Sequence, residues 1–110
     1  MVEPEMAFCD LQGNMDLGEE MVRYLTTYIM QKSSEDLELF ARFVDKRLMP
    51  RLENVMSSTF IRLPYTEAID ILKKSSNQFE YEVEFGKDLQ SEHERFICEE
   101  TFNQPVIIYD

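Results

Sequence analysis

Hydrophobic and polar positions along the chain fall into runs of two different periods. From Val2 to Cys9 they alternate: Val2, Pro4, Met6 and Phe8 share one side, and Glu3, Glu5, Ala7 and Cys9 the other. A period of two predicts a strand, and Pro4, which lacks a ladder donor, places it at an edge or a bulge. Asp10 to Asn14, with Gly13, reads as a loop. Asp16 and Glu19 resemble a capping pair, and Leu17, Met21, Leu25, Tyr28 and Ile29 recur at helical spacing, so a first helix is predicted from Leu17 to Gln31. Ser33 and Ser34 end it, and Leu37, Phe40, Phe43 and Val44 form the apolar stripe of a second helix. Pro50 suits only a first turn, so a third, shorter helix follows to about Met56.

The second half is more mixed. Phe60 to Leu63 is a short strand or extended lead-in. Thr66 is positioned to cap a helix whose buried side is Ala68, Ile69 and Leu72. Phe79, Tyr81, Val83 and Phe85 alternate with Glu80, Glu82 and Glu84, as in a half-buried strand or extended arm. Ser91 and Glu94 form an S-x-x-E capping box opening a helix with Phe96, Ile97 and Phe102. Pro105 to Tyr109 is an apolar run short enough for a buried strand. The class is therefore α+β. At 110 residues the chain makes one domain at most, and no Gly/Ser-rich linker marks a boundary. Two strands and several one-sided helices need more sheet to pack against.

Charge narrows the partners. Lys and Arg total 11 against 22 Asp and Glu, a net charge of −11. Such a surface repels phosphate, so direct nucleic-acid binding is not expected. The basic cluster Lys46, Arg47 and Arg51 reads as a solvated helix face. Cys9 and Cys98 read as two reduced cytosolic thiols, and no His/Cys spacing suits a metal. No apolar run reaches the ~18 residues of a membrane span, and the acidic N-terminus is not a presequence, so a cytoplasmic setting is expected.

Two segments are candidates for chemistry. Glu3 and Glu5, at i and i+2 on a strand, present carboxylates about 7 Å apart on one face, suited to an amine, an amide or a metal. The plainer reading is a solvated strand edge. The run Gly86 to Arg95 carries the chain's one histidine, His93. A general base needs an orienting partner, but Glu92 and Glu94 are sequence neighbours that do not face it on a helix. The capping pattern accounts for this segment as a helix start with a surface histidine. No phosphate-binding glycine loop, zinc motif or nucleophile elbow is present.

The same segments, read together and in order, resemble asparaginyl-tRNA synthetases of class II. Met1-Val2-Glu3-Pro4-Glu5-Met6-Ala7-Phe8 is similar to the end of their motif 2 strand. Arg62-Leu63-Pro64-Tyr65-Thr66-Glu67-Ala68-Ile69 resembles their Y-T-E-A helix start. Gly86, Asp88-Leu89 and Ser91-Glu92-His93-Glu94-Arg95 resemble G-x-D-L-x-S-E-H-E-R, and Glu99-Glu100, Phe102 and Pro105-Val106 stay in register. Cys9, Gln90 and Cys98 depart from the pattern.

The resemblance implies a stretch between motifs 2 and 3 of a catalytic domain, residues 1–110, built from antiparallel sheet strands with flanking helices. The parent enzymes are homodimers that join asparagine to ATP, with magnesium, and pass it to tRNA(Asn). Glu3 matches a position in the amino-acid pocket, and Glu5 a supporting one. Glu92, His93 and Arg95 match a segment of the family, and are expected to have a structural, helix-capping role. The resemblance assigns this chain no catalytic residue, no metal ligand and no cofactor of its own, and predicts that it is inactive alone. An aspartyl-tRNA synthetase, an asparagine synthetase relative, or a non-catalytic acidic module that binds a basic partner are the alternatives.

Overall fold

The computed structural model describes residues 1–110 and divides into two compact units, Met1–Ser57 and Ser58–Asp110.

The first unit is helical. Its elements are α1 (Leu11–Lys32), α2 (Ser34–Phe43) and α3 (Leu48–Ser57), and each packs on the other two. Residues 1–10 form no strand. The alternation of Val2 to Cys9 has no ladder to join, and strand pairing, not period alone, holds an extended segment straight. The segment turns at Ala7-Phe8, where Phe8 takes a left-handed φ of 58°. The first helix starts six residues before the predicted point. Asp10, extended at φ −87° and ψ 177°, caps it by accepting from the Gly13 amide at 2.8 Å. Gly13 therefore belongs to the helix, and a Cβ there would lie 2.8 Å from the Cys9 Sγ. Asp16 and Glu19 do not cap; Glu19 pairs with Arg23 one turn on, at 3.0 Å.

Ser33 ends α1 as predicted, its amide still bonded to the Ile29 carbonyl at 2.8 Å while its own carbonyl accepts from Leu37 at 2.9 Å to start α2. Pro50 sits in the first turn of α3, where no intrahelical partner is needed for its missing donor. Asp45 organises the preceding turn. It accepts from the Arg47 amide at 2.9 Å and pairs with Arg51 at 3.2 Å. The Arg47 amide and the two guanidiniums hold the Asp45 carboxyl below the usual carboxylate range.

The faces of this unit meet expectation only in part. Leu37 of α2 is buried and Met21 of α1 half-buried, but Leu17, Leu25, Tyr28 and Ile29 lie outward, and so do Phe40 and Phe43 of α2 and Val44 at its end. The inner side of α1 carries Met15 and Thr26, about half a helical turn away. Thr26 satisfies its hydroxyl by donating to the Val22 carbonyl at 2.8 Å.

The second unit holds a denser core. Its elements are β1 (Ile61–Pro64), α4 (Tyr65–Lys74), α5 (Ser91–Arg95), a π-helical continuation of α5 (Phe96–Phe102) and β2 (Val106–Tyr109). Leu63, Ala68, Leu72 and Ile97 are its centre, with Phe79, Val83, Leu89, Phe96 and Ile108 among those packed around them. Ala68, Ile69 and Leu72 are buried at the predicted i, i+1, i+4 positions.

The two strands are parallel, with Ile61 opposite Val106 and Pro64 opposite Tyr109. This corrects the expected antiparallel pairing: α4 and α5 lie between β1 and β2, and such a crossover returns the chain in the same direction. Thr66 does not cap α4; the chain enters the helix directly from extended Pro64 at ψ 142°. The π segment closes at Asn103, left-handed at φ 50°, a conformation asparagine tolerates.

Candidate functional site

The two segments singled out by sequence lie in different units. Glu3 and Glu5 are both exposed. Glu5 lines a shallow depression of about 330 Å³ at the start of α1, with Pro4, Met6, Cys9, Asp10 and Asn14. Glu3 is not among its walls.

The Glu92–His93 pair is built into the second unit. Residues 79–90, expected as a strand or arm, form an irregular arm whose polar backbone groups are met by side chains instead of a ladder. The Glu92 carboxylate accepts from the Tyr81 amide at 2.7 Å and the Glu80 amide at 3.0 Å. Those two amides, Tyr81 foremost, hold the Glu92 carboxyl below the usual glutamate range. Farther along, the Tyr65 hydroxyl donates to the Lys87 carbonyl at 2.7 Å and accepts from the Gly86 amide at 2.9 Å. Gly86, at φ +90°, makes the bend that a side chain would strain. Lys87 also pairs with Glu84.

His93 is no surface histidine: it is 1% exposed. Its Nδ1 accepts from the Gln90 amide and its Nε2 faces the Tyr81 carbonyl, each at 3.0 Å. An amide donor on Nδ1 and a carbonyl on Nε2 leave one consistent arrangement, the neutral ring carrying its proton on Nε2. Phe79 meets the ring edge-on, centroids 5.0 Å apart at 85°. This geometry relocates the helix cap. Gln90, not Ser91, is the N-cap residue, and His93 takes the reciprocal role expected of Glu94.

The helix turns Arg95 away from His93. Arg95 and Glu92 line a depression of about 450 Å³ with Asn77, Phe79, Phe96 and Glu100. Against the expectation that Glu92 does not face His93, its Oε1 lies 3.7 Å from Nε2; yet both ring nitrogens are engaged by backbone groups and both Glu92 oxygens hold arm amides, so neither side chain is free to act as a general base. They fix the arm. Sequence reasoning passed over Tyr65 as a clamp, because its partners stand 21 and 22 residues away.

Cys98 is half-buried, and burial pushes its thiol up, against a lowering bond from Val106 and with further raising by Glu94 and Glu99. Nowhere do three His, Cys, Asp or Glu side chains converge as a metal site requires. No helix is long and apolar enough to cross a membrane.

The second unit is thus an α+β unit whose S-E-H-E-R helix start clamps an acidic arm. The family model for tRNA synthetases class II (D, K and N) matches residues 1–110, and the chain belongs to that family. Among curated relatives, the asparagine–tRNA ligases of Oleidesulfovibrio alaskensis and Alkaliphilus oremlandii are each 54% identical to it, and that of Desulfitobacterium hafniense 52%. Each match covers all 110 residues of this chain and 24% of the relative, so the chain spans about a quarter of their length.

Proposed function

We propose that this chain is a segment of the catalytic domain of an asparagine–tRNA ligase, contributing one wall of a site that activates asparagine with ATP and transfers it to tRNA(Asn). The observation that carries the reading is identity near one half, sustained over the whole chain, to proteins named for that activity. Both units then belong to one catalytic domain, in a cytoplasmic homodimer.

Within that wall Glu3 accepts a hydrogen bond from the amine or amide of the amino acid, and Glu5, two residues on, supports it. Their exposure supports this role, since both carboxylates are open to a ligand. Glu92, His93 and Arg95 belong to the scaffold. No three His, Cys, Asp or Glu side chains converge on a magnesium site, and the Arg47 and Arg51 guanidiniums are engaged by Asp45. Phosphoryl chemistry depends on positioned charge, so the chain alone is inactive.

The test is asparagine-dependent exchange of pyrophosphate into ATP. The isolated chain gives none. A full-length ligase carrying this segment exchanges, and Glu3→Gln raises KM for asparagine while leaving that for ATP nearly unchanged. Turnover by the isolated chain, or an equal effect on both substrates, would refute the reading.

A further inference from the structure

We propose that His93 is a proton-operated latch: uptake of one proton at Nδ1 in mildly acidic solution releases both ends of the 79–90 arm from α5 and leaves the arm tethered at Tyr65. The inference goes beyond the ligase reading and uses contacts inside the second unit alone.

The arm holds itself weakly. Within residues 79–90 the one backbone–backbone bond runs from the Lys87 amide to the Glu84 carbonyl, at 3.2 Å. Three side chains supply the rest. Glu92 takes the Glu80 and Tyr81 amides, and Tyr65 holds Gly86 and Lys87. His93 reaches both ends, with Nε2 on the Tyr81 carbonyl and Nδ1 on the Gln90 amide. One buried ring therefore closes the arm into a loop against the start of α5.

That closure works with a neutral ring. Nδ1 offers its lone pair to the Gln90 amide, and Nε2 gives its hydrogen to the Tyr81 carbonyl. A second proton can arrive only at Nδ1, where it would point at the N–H of Gln90. Two donors would then face each other beside a buried cation, so the protonated ring has to leave its place.

The surroundings favour that exit. Glu92 is the one charged group within ion-pair reach of the ring, its Oε1 3.7 Å from Nε2. The arm brings to the ring the Phe79 edge and the Tyr81 carbonyl, and α4 and the π segment bring to this core the apolar Leu72, Phe96 and Ile97. In the closed state the Glu92 oxygens stay on the arm amides. Once the ring is charged and free, it competes for them with a charge-assisted bond, so the Glu80 and Tyr81 amides open together with Gln90. Glu92 keeps its charge meanwhile, because the arm amides hold its carboxyl below the usual glutamate range. The Tyr65 hydroxyl takes no part in this exchange and keeps Gly86 and Lys87.

The opened state binds one more proton than the closed state, so closure is complete above about pH 6.5, where a released histidine is neutral, and is lost as pH falls below it. One-proton linkage raises the ratio of opened to closed arm about thirtyfold between about pH 7.5 and pH 5.

Hydrogen exchange of the 110-residue chain at these two pH values, corrected for the intrinsic rate of each amide, tests the latch. Protection at Glu80, Tyr81 and Gln90 is expected to fall together by about thirtyfold, while Gly86 and Leu72 of α4 keep theirs. His93→Asn, whose oxygen still accepts from Gln90 but takes up no proton, is expected to hold its Gln90 protection constant across the range. In the wild-type chain, where no substitution can disturb folding, the NMR signal of the His93 Cε1 proton is expected to shift with the same midpoint as the loss of Gln90 protection. Gln90 protection that survives at the lower pH, a fall that persists in His93→Asn, a fall shared by Gly86 and Leu72, two midpoints that differ, or a chain without protected amides at neutral pH would each overturn the proposal. Pyrophosphate exchange is a separate measurement, and its failure leaves the latch standing.

Discussion

Replacing His93 separates its two hydrogen bonds. The ring is buried, with Nδ1 and Nε2 each 3.0 Å from a backbone partner and Phe79 edge-on at 5.0 Å. A typical intramolecular bond contributes ~1 kcal/mol net, and an aromatic pair about 0.5–1.5 kcal/mol beyond its area. His93→Leu, which keeps much of the volume, therefore costs about 3 kcal/mol in the second unit. The amide side chains divide this cost. Asparagine places its oxygen near the position of Nδ1, and glutamine its nitrogen near Nε2. His93→Asn should keep the Gln90 amide bonded and release Tyr81; His93→Gln should do the opposite. Native-state hydrogen exchange of the Gln90 amide reads the difference directly: protection close to wild type in the Asn variant, and lower by about fivefold per kcal/mol in the Gln variant. Equal protection in both variants, or a His93→Leu chain whose urea midpoint does not move, would refute the clamp.

The remaining predictions concern other groups. The Glu92 carboxyl is held below its ordinary value in the folded chain, so its contribution is complete above about pH 4.3 and is lost as pH falls through the lower folded value. Glu92→Gln turns an amide NH₂ toward one of the two arm donors, so it should melt earlier at neutral pH and show a flatter acid limb, read by circular dichroism from pH 6 to 2 in steps of about one unit. Cys9 is exposed, whereas burial keeps Cys98 a thiol; Ellman's reagent at neutral pH should titrate Cys9 rapidly and reach Cys98 only on unfolding. Gly18→Ala meets open space inside α1 and should stabilise it by about 0.5–1 kcal/mol. Gly13→Ala, whose Cβ would fall 2.8 Å from Cys9 Sγ, should gain less unless Cys9→Ala accompanies it; thermal melts of the three variants decide.

Much of the local structure was legible in the chain. The break at Ser33, the start of α3 around Pro50, and the buried trio Ala68, Ile69 and Leu72 follow from spacing and from what serine and proline do to a backbone. The S-E-H-E-R segment was legible as a helix start and as a family mark. Its mechanism was not. Ser91 and Glu94 satisfy a capping pattern on paper, yet His93 caps Gln90, because burial beside Phe79 aims the ring at that amide. Alternation at 79–85 suggested a strand, but only Phe79 and Val83 reach the core while Tyr81 and Phe85 stay exposed; the arm's amides found Glu92 and Tyr65 before any neighbouring strand.

The sequence by itself determined where α1 breaks and where α3 lies around Pro50, which residues seed the second core, and which family the chain resembles, because these depend on neighbours within a few residues. The tertiary structure alone decided direction and sidedness. Strands β1 and β2 run parallel, a pairing that the helical crossover between them permits and that no strand's own composition records. The stripe from Leu17 to Tyr28 shows from its spacing that one face of α1 is apolar, but periodicity is silent on what lies against it. In this chain that face meets water, while Met15 and Thr26 face inward.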